Sequence, residues 1–398
     1  MYKSNSSKKN FNLLNGSIPE DYDYICFSHL RWDFVFQRPQ HLFTRISETN
    51  RVFYIEEPVI ENIEAGYLNE TIQENVFIVT PHLPDVNSNR KNNAYLNALL
   101  KDFFNVHNIN QYIFWYYTPM ALNYSKAFSP ALIVYDCMDE LSKFAGAPKG
   151  LLRNEKLLFS SADIVFTGGR SLYEHKKKRH GNIFCFPSSI DVEHFGKSKY
   201  IKEEPSDQKK IASPKIGFFG VVDERLNIKL LDEISKAKPE WNWIIIGPVV
   251  KIDPSTLPRH DNIHYLGSKK YDELPSYLSG WDVAIILFAK NDATKFISPT
   301  KTPEYLAAGK PVVSTSIKDV VYPYGKLELV HIADTPDEFV EAVEKALMQK
   351  DDAAWQKKTS AFLATNSWNK TLEKMKSIIQ EAFSSKYVMN LQIDTNDI

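Results

Sequence analysis

Phe296-Ile297-Ser298-Pro299-Thr300-Lys301-Thr302-Pro303-Glu304-Tyr305-Leu306-Ala307-Ala308-Gly309-Lys310-Pro311-Val312-Val313-Ser314-Thr315 is the stretch on which the reading of this chain turns. It reads as a loop, a short helix, a glycine stop and a buried strand. Thr302 suits an N-cap, and Pro303 suits the first helical position, where its missing N–H costs nothing. Gly309 fits a left-handed C-cap, and Pro311-Val312-Val313 then enters a strand. Ser298, Thr300 and Lys301 precede the helix, whose unpaired N–H groups and positive partial charge favour a diphosphate. Glu304, in the first turn, is placed to accept hydrogen bonds from a ribose diol.

Working outward, 398 residues suffice for two ordinary domains, and 43% hydrophobic with 24% charged residues is a globular composition. The net charge of -1 provides no global field for nucleic acid. Cys26, Cys137 and Cys185 lie in or beside apolar strand-like runs, which predicts reduced core thiols and a cytoplasmic protein. Residues 1–20 are Ser-, Asn- and Lys-rich without an apolar core, so they are expected to be disordered, as is a tail over 387–398. No run reaches the ~18 apolar residues of a membrane span.

Short apolar strands alternate with amphipathic helices, the pattern of α/β parallel sheets. Strands are predicted at Tyr24–Phe27, Val52–Ile55, Val76–Val79, Tyr112–Trp115, Leu132–Tyr135, Ile164–Phe166 and Ile183–Phe186. A second set follows at Ile216–Phe219, Trp243–Ile246, Ile263–Leu266, Val283–Phe288, Pro311–Ser314 and Leu329–Ile332. The polar run 197–213 reads as a solvated linker between a domain over 21–196 and one over 214–367. Thr335 and Glu338 form a capping box, and a packing helix over 368–386 completes the first domain.

The opening stretch resembles the donor-site signature of glycosyltransferases with two facing Rossmann-like domains, the GT-B fold, in the glycogen-synthase-like and α-mannosyltransferase-like family. That signature is glutamate, seven residues, glutamate, then small residues and Gly-x-Pro-Val-Val. Glu304 and Gly309-Lys310-Pro311-Val312-Val313 match it, while Phe296 stands where the first glutamate falls. Phe186-Pro187-Ser188-Ser189-Ile190-Asp191-Val192-Glu193-His194-Phe195 resembles the family's passage between domains. Residues 22–385 look similar to a bacterial subgroup that builds surface polysaccharide or lipid-linked glycan. The resemblance implies a nucleotide-sugar donor, with a UDP-sugar such as UDP-galactose or UDP-galactofuranose favoured, and a glycan or lipid-linked acceptor. It implies no cofactor, and no Asp-x-Asp motif in the second half calls for a metal.

Further candidates follow predicted strand ends, where open α/β sheets place ligands. Gly220 and Arg225 follow the first strand of the second half, Gly247 and Lys251 the second, and Gly267 the third. Glycine lets backbone approach a phosphate, and the cations neutralise it. In the first half, Ser28 to His41 is dense in polar and aromatic residues. His29 and Asp33 are candidates for catalysis, and Arg31, Gln37 and Arg38 for acceptor binding. Trp115 and Tyr117 are candidates for an aromatic wall. In Asp136-Cys137-Met138-Asp139-Glu140, Asp139 is the candidate base because it lies past the strand, and Asp136 reads as structural.

Arg170 and the run Lys176-Lys177-Lys178-Arg179-His180 suggest either a solvated face or peripheral contact with an anionic inner membrane. Two other functions remain open on sequence alone. One is a nucleotide-sugar 2-epimerase of the same architecture; the other is an inactive nucleotide-sugar-binding subunit, suggested by Phe296.

Overall fold

The computed structural model describes residues 22–85 and 89–396. The first sheet comprises β1 (Asp23–Phe27), β2 (Val52–Ile55), β3 (Val59–Glu61), β4 (Tyr67–Gln73), β5 (Val76–Pro84), β6 (Tyr112–Tyr116), β7 (Leu132–Cys137), β8 (Ile164–Thr167) and β9 (Ile183–Cys185). Its order is β3-β5-β2-β1-β6-β7-β8-β9, and only β4, paired to β5, runs antiparallel. The second sheet comprises β10 (Lys215–Phe219), β11 (Asn242–Ile246), β12 (Ile263–Gly267), β13 (Val283–Ile286), β14 (Val312–Ser314) and β15 (His331–Ile332), in the order β12-β11-β10-β13-β14-β15. All six of these strands are parallel.

The central strands are almost wholly apolar because helices cover both faces: every residue of β1, β6 and β10 is buried, including the charged residues Asp23 and Lys215 at the strand starts. Every predicted strand is present. β3 and β4 were not anticipated, since β4 is mostly exposed and its Asn69-Glu70-Thr71 carries no apolar alternation. Strand order reverses in each sheet between β1 and β6 and between β10 and β13, neighbours that run parallel, which opens a crevice at the strands' carboxyl ends. The His29 loop leaves β1, Tyr117 leaves β6, Asp139 follows β7, and the Gly220 turn and the 289–300 loop leave β10 and β13.

The Trp368–Asn396 helix returns to the first domain and buries Trp368, Leu372, Met375 and Ile379 there. It continues to Asn396 instead of giving way to a tail at 387. The expected disorder over 1–20 and the last residues 397–398 lie outside the described residues. The 197–213 segment is docked on the second domain rather than solvated. Gln208 is fully buried, donating to Tyr277 O (2.9 Å) and accepting from Trp281 Nε1 (2.9 Å), while Lys215 pairs with Glu204 (2.6 Å). The polar composition of this run reflects paired side chains, not exposure. All three cysteines are free thiols.

Aromatic and polar contacts join the domains. Tyr271 stacks on Phe36 (4.4 Å) and on His194 (4.1 Å), and Lys143 pairs with Asp292 (3.0 Å). Asp319 of the second domain accepts from Ser171 N (2.9 Å) at the start of the first-domain Arg170–Lys176 helix. A side chain at Gly169 would occupy the place of that carboxylate and come within 2.8 Å of Ser298 Cβ. Gly169 is therefore required by a close approach between domains.

Candidate active site in the interdomain cleft

On the donor side, the helix spans Lys301–Ala307 and begins before the predicted cap. Thr302 N already donates to Pro299 O (3.3 Å), so Thr300 holds the N-cap position, without a side-chain bond, and Thr302 turns inward with its Oγ1 buried and unpartnered. Gly309 takes the left-handed conformation expected of it (φ 73°). Lys301 leaves the first turn, its amine 5.6 Å from the Phe218 ring and 5.5 Å from the Phe288 ring. Neither this amine nor the Glu304 carboxylate has a hydrogen bond or ion pair among the described residues. Burial, reinforced by Arg225, pushes the amine below the usual lysine range, against the pull of Glu304 and Asp223. Burial pushes Glu304 up, with Lys301 opposing. Buried ionisable groups without partners are costly, which is expected where a ligand completes them.

Arg225 is held by Asp223 through Nε (2.9 and 3.1 Å) and Nη2 (2.8 Å), leaving Nη1 without a bond among the described residues. Its guanidinium lies 5.6 Å, and the Lys251 amine 5.9 Å, from the ring of Phe144, which the first domain inserts against the second-domain core. Gly247 supports this edge indirectly: a side chain there would overlap the backbone of Gly220. Gly267 borders open space at a left-handed turn. Ser298 faces the other domain, its carbonyl accepting from Ser188 Oγ (3.0 Å).

On the acceptor side, the structure sorts the three carboxylates at the end of β7. Asp136 is fully buried and pairs with Arg38 (2.9 Å); Glu140 pairs with Lys176 (2.8 Å) and accepts from Ser142 (2.7 Å). Of these three, only Asp139 has a carboxylate with no hydrogen bond or ion pair among the described residues. Burial raises it to about 6, opposed by Arg225 and then Arg38, which puts it electrostatically within reach of the donor side. Burial lowers His29 to about 4, with Lys251 adding to the fall and the Tyr117 backbone resisting it. His29 is thus a neutral imidazole near pH 7, with Nδ1 buried and unpartnered.

Several candidates have other roles. Arg38, 2% exposed, is a core cation bonded to Asp136 and to Phe186 O (2.8 Å), not an acceptor ligand. Gln37 caps the Arg38–Ile46 helix, its N–H donating to Gln40 (3.1 Å). Arg31 is held by Glu56 (2.8 Å). Asp33 is exposed and accepts from Gln73 (3.1 Å) on β4. Trp115 and Tyr117 are core residues rather than a sugar-binding wall, because they lie at the end of the central strand β6, under helices. The basic run is largely neutralised: Lys176 is fully buried between Glu140 and Glu155, Lys177 pairs with Glu174, and Arg179 with Glu155 (2.9 Å).

Phe296 stacks on His175 of the first domain (4.5 Å), so the residue replacing the family glutamate serves the interdomain contact. Sequence reasoning missed Asp223, Phe144, Tyr271 and Asp319. For Asp223 the Asp-x-Arg spacing is a usable signal; the other three act across the cleft and leave none. Among the described residues no cluster of three or more His, Cys, Asp or Glu is arranged to hold a metal, and no helix is long and apolar enough to cross a membrane.

Residues 213–349, which carry every donor-side group above, match the model of the family described as glycosyl transferases group 1. Over 278 residues the chain is 24% identical to the putative teichuronic acid biosynthesis glycosyltransferase TuaH of Bacillus subtilis, covering 64% of this chain and 68% of that one. WaaG, a glycosyltransferase involved in lipopolysaccharide biosynthesis, superposes with a TM-score of 0.59 at 14% identity, over 90% of this chain and 99% of its own. The chain is a GT-B glycosyltransferase. This transferase also shares its fold with the sucrose-phosphate synthase of Thermosynechococcus elongatus (TM-score 0.66, 12% identity, 92% and 100% of the two chains). A further fold neighbour is an E. coli protein solved with UDP-2-fluoro glucose (TM-score 0.64, 11% identity, 90% and 99%).

Proposed function

We propose that the enzyme transfers a hexosyl unit from a UDP-sugar to a glycan or lipid-linked acceptor in surface polysaccharide synthesis. The observation that supports this reading best is the set of uncommitted groups in one cleft: Lys301, Glu304 and Arg225 Nη1 on one side, Asp139 and His29 on the other. TuaH, whose name assigns it to teichuronic acid biosynthesis, supports polysaccharide as the acceptor class. The neighbour solved with a UDP-sugar supports the donor class.

In this reading Glu304 accepts from the ribose hydroxyls, and Lys301 and Arg225 meet the diphosphate. As the glycosidic bond breaks, negative charge grows on the leaving phosphate. Cations already in place stabilise it without reorganisation. Asp139, ionised above about pH 6, accepts the proton of the attacking hydroxyl. His29 is too weak a base for that step; as a neutral donor it bonds an oxygen of the transferred sugar. The protein's own cations serve the leaving group, so no cofactor is part of the proposal. Calorimetric titration of UDP-, GDP- and dTDP-sugars tests it: UDP-sugars should bind, and sugar transfer to a lipid-linked glycan should follow. Binding of none of them would overturn the reading, and an epimer formed from UDP-sugar alone would assign the cleft to epimerisation.

A further inference from the structure

A hollow of about 290 Å³ opens in the first domain beside the catalytic edge. It is near the lower end of the roughly 300–1,000 Å³ usual for ligand sites, small enough for a single ring. Two glutamates follow β2. Glu56 is consumed by Arg31, Trp32 N (2.8 Å) and Thr80 (2.8 Å), whereas Glu57 lines the hollow with no hydrogen bond or ion pair among the described residues. The Asn89–Val106 helix contributes Asn92, whose Oδ1 is buried without a partner. Asn123 faces the same space; its Oδ1 is taken by Asn154 (3.0 Å), and its amide nitrogen has no acceptor among the described residues. Leu96 and Tyr124 supply an apolar floor.

The chemistry of this lining is selective. A carboxylate beside carboxamides reads adjacent hydroxyls, and an apolar floor suits the C–H face of a sugar ring. Among the described residues no lysine or arginine lines the hollow, and Arg31, the cation that acts on Glu57, is already held by Glu56, so little offsets the cost of seating a phosphate or a uronate there. Its rim residue Pro148 belongs to the loop that begins at Asp139, and its Thr118 follows Tyr117, whose backbone meets His29. The hollow therefore shares two segments with the reacting edge.

We propose that this hollow binds an uncharged glycosyl residue of the acceptor, with Glu57, Asn92 and Asn123 as its specificity-determining residues. The inference rests on the transferase reading above, with the acceptor in the first domain. Unpaired, the buried Asn92 Oδ1 is costly, and a ligand hydroxyl that satisfies it is worth roughly ten- to a hundredfold in affinity, about 1.4–2.8 kcal/mol.

Ligand-observed NMR titrations of the full chain, with UDP present, provide the test. The probes are methyl glucoside, methyl galactoside, methyl N-acetylglucosaminide and methyl glucuronide. At least one neutral glycoside should bind, and glucuronide should not. Asn92→Leu and Asn123→Leu should each weaken that glycoside about tenfold or more, with UDP affinity unchanged as the check on folding. Glu57→Gln should admit glucuronide. No binding of any neutral glycoside, a preference for glucuronide, or neutral binding indifferent to both asparagine substitutions would overturn the assignment. Loss of UDP binding by the unaltered protein would count against the donor reading and leave the glycoside result standing.

Discussion

The Lys301 amine occupies the space above Gly220, where a side chain would overlap Lys301 Cε and lie 2.5 Å from Nζ. At φ 135° that glycine also holds a conformation L residues rarely adopt. Gly220→Ala should thus displace the amine as well as strain the turn. The expected result is a loss of UDP affinity of about tenfold or more, equivalent to roughly 1.4 kcal/mol, read by calorimetry, with near-native secondary structure. Full UDP affinity in a folded Gly220→Ala protein would remove Lys301 from the phosphate site.

Lys301→Ala should weaken UDP far more than uridine, because a charge-assisted contact worth about 1.5–3 kcal/mol is deleted only where phosphate is present. Equal losses for both ligands would contradict the assignment. The amine titrates below the usual lysine range through burial and Arg225. Since its protonated form binds phosphate, UDP affinity should hold at lower pH and fall as pH rises, beginning earlier than an ordinary lysine would dictate. That alkaline fall should vanish in Lys301→Ala.

Asp139→Asn should cut turnover by roughly a hundredfold or more while leaving UDP affinity within a few-fold, as general-base contributions run about 10²–10⁴. Because burial lifts this carboxyl to about 6, kcat/KM should climb as pH rises through that value and level off above it. A profile flat through pH 6, or parallel losses in turnover and donor binding, would make Asp139 structural.

Arg38 and Asp136 form a buried pair at 3% and 0% side-chain exposure. Arg38→Leu strands a carboxylate in the core, a cost of about 3–5 kcal/mol, or on the order of ten degrees in melting temperature. The double variant Arg38→Leu with Asp136→Leu should recover much of that. If Arg38→Leu left the melting temperature unchanged and lost only activity, the acceptor-binding role would be reinstated.

Much of this protein was legible in one dimension. Parallel strands buried on both faces must be short apolar runs, so β1, β6, β10 and β13 announce themselves. The Gly309 stop is local backbone chemistry, and the capping box at Thr335 and Glu338 (3.1 and 3.3 Å) likewise depends on residues three apart. Lys301, Glu304, Arg225 and Asp139 could be picked out because they leave strand ends that topology turns toward one edge. What sequence could not supply was which polar group is already spoken for. Arg38 and Arg225 look alike as isolated cations. Arg38 is sealed into the core by Asp136, 98 residues away, whereas Arg225 is held by Asp223, two residues away, and keeps its side chain partly exposed at the cleft. Trp115 and Tyr117 looked like a wall for a sugar until helices covered both faces of β6. Gly169 and Asp319 have meaning only as a pair brought together across the domain boundary. Local patterns set the elements because backbone geometry and burial act over a few residues; charge pairing and burial of polar groups depend on partners distant in sequence, so only the tertiary structure decided them.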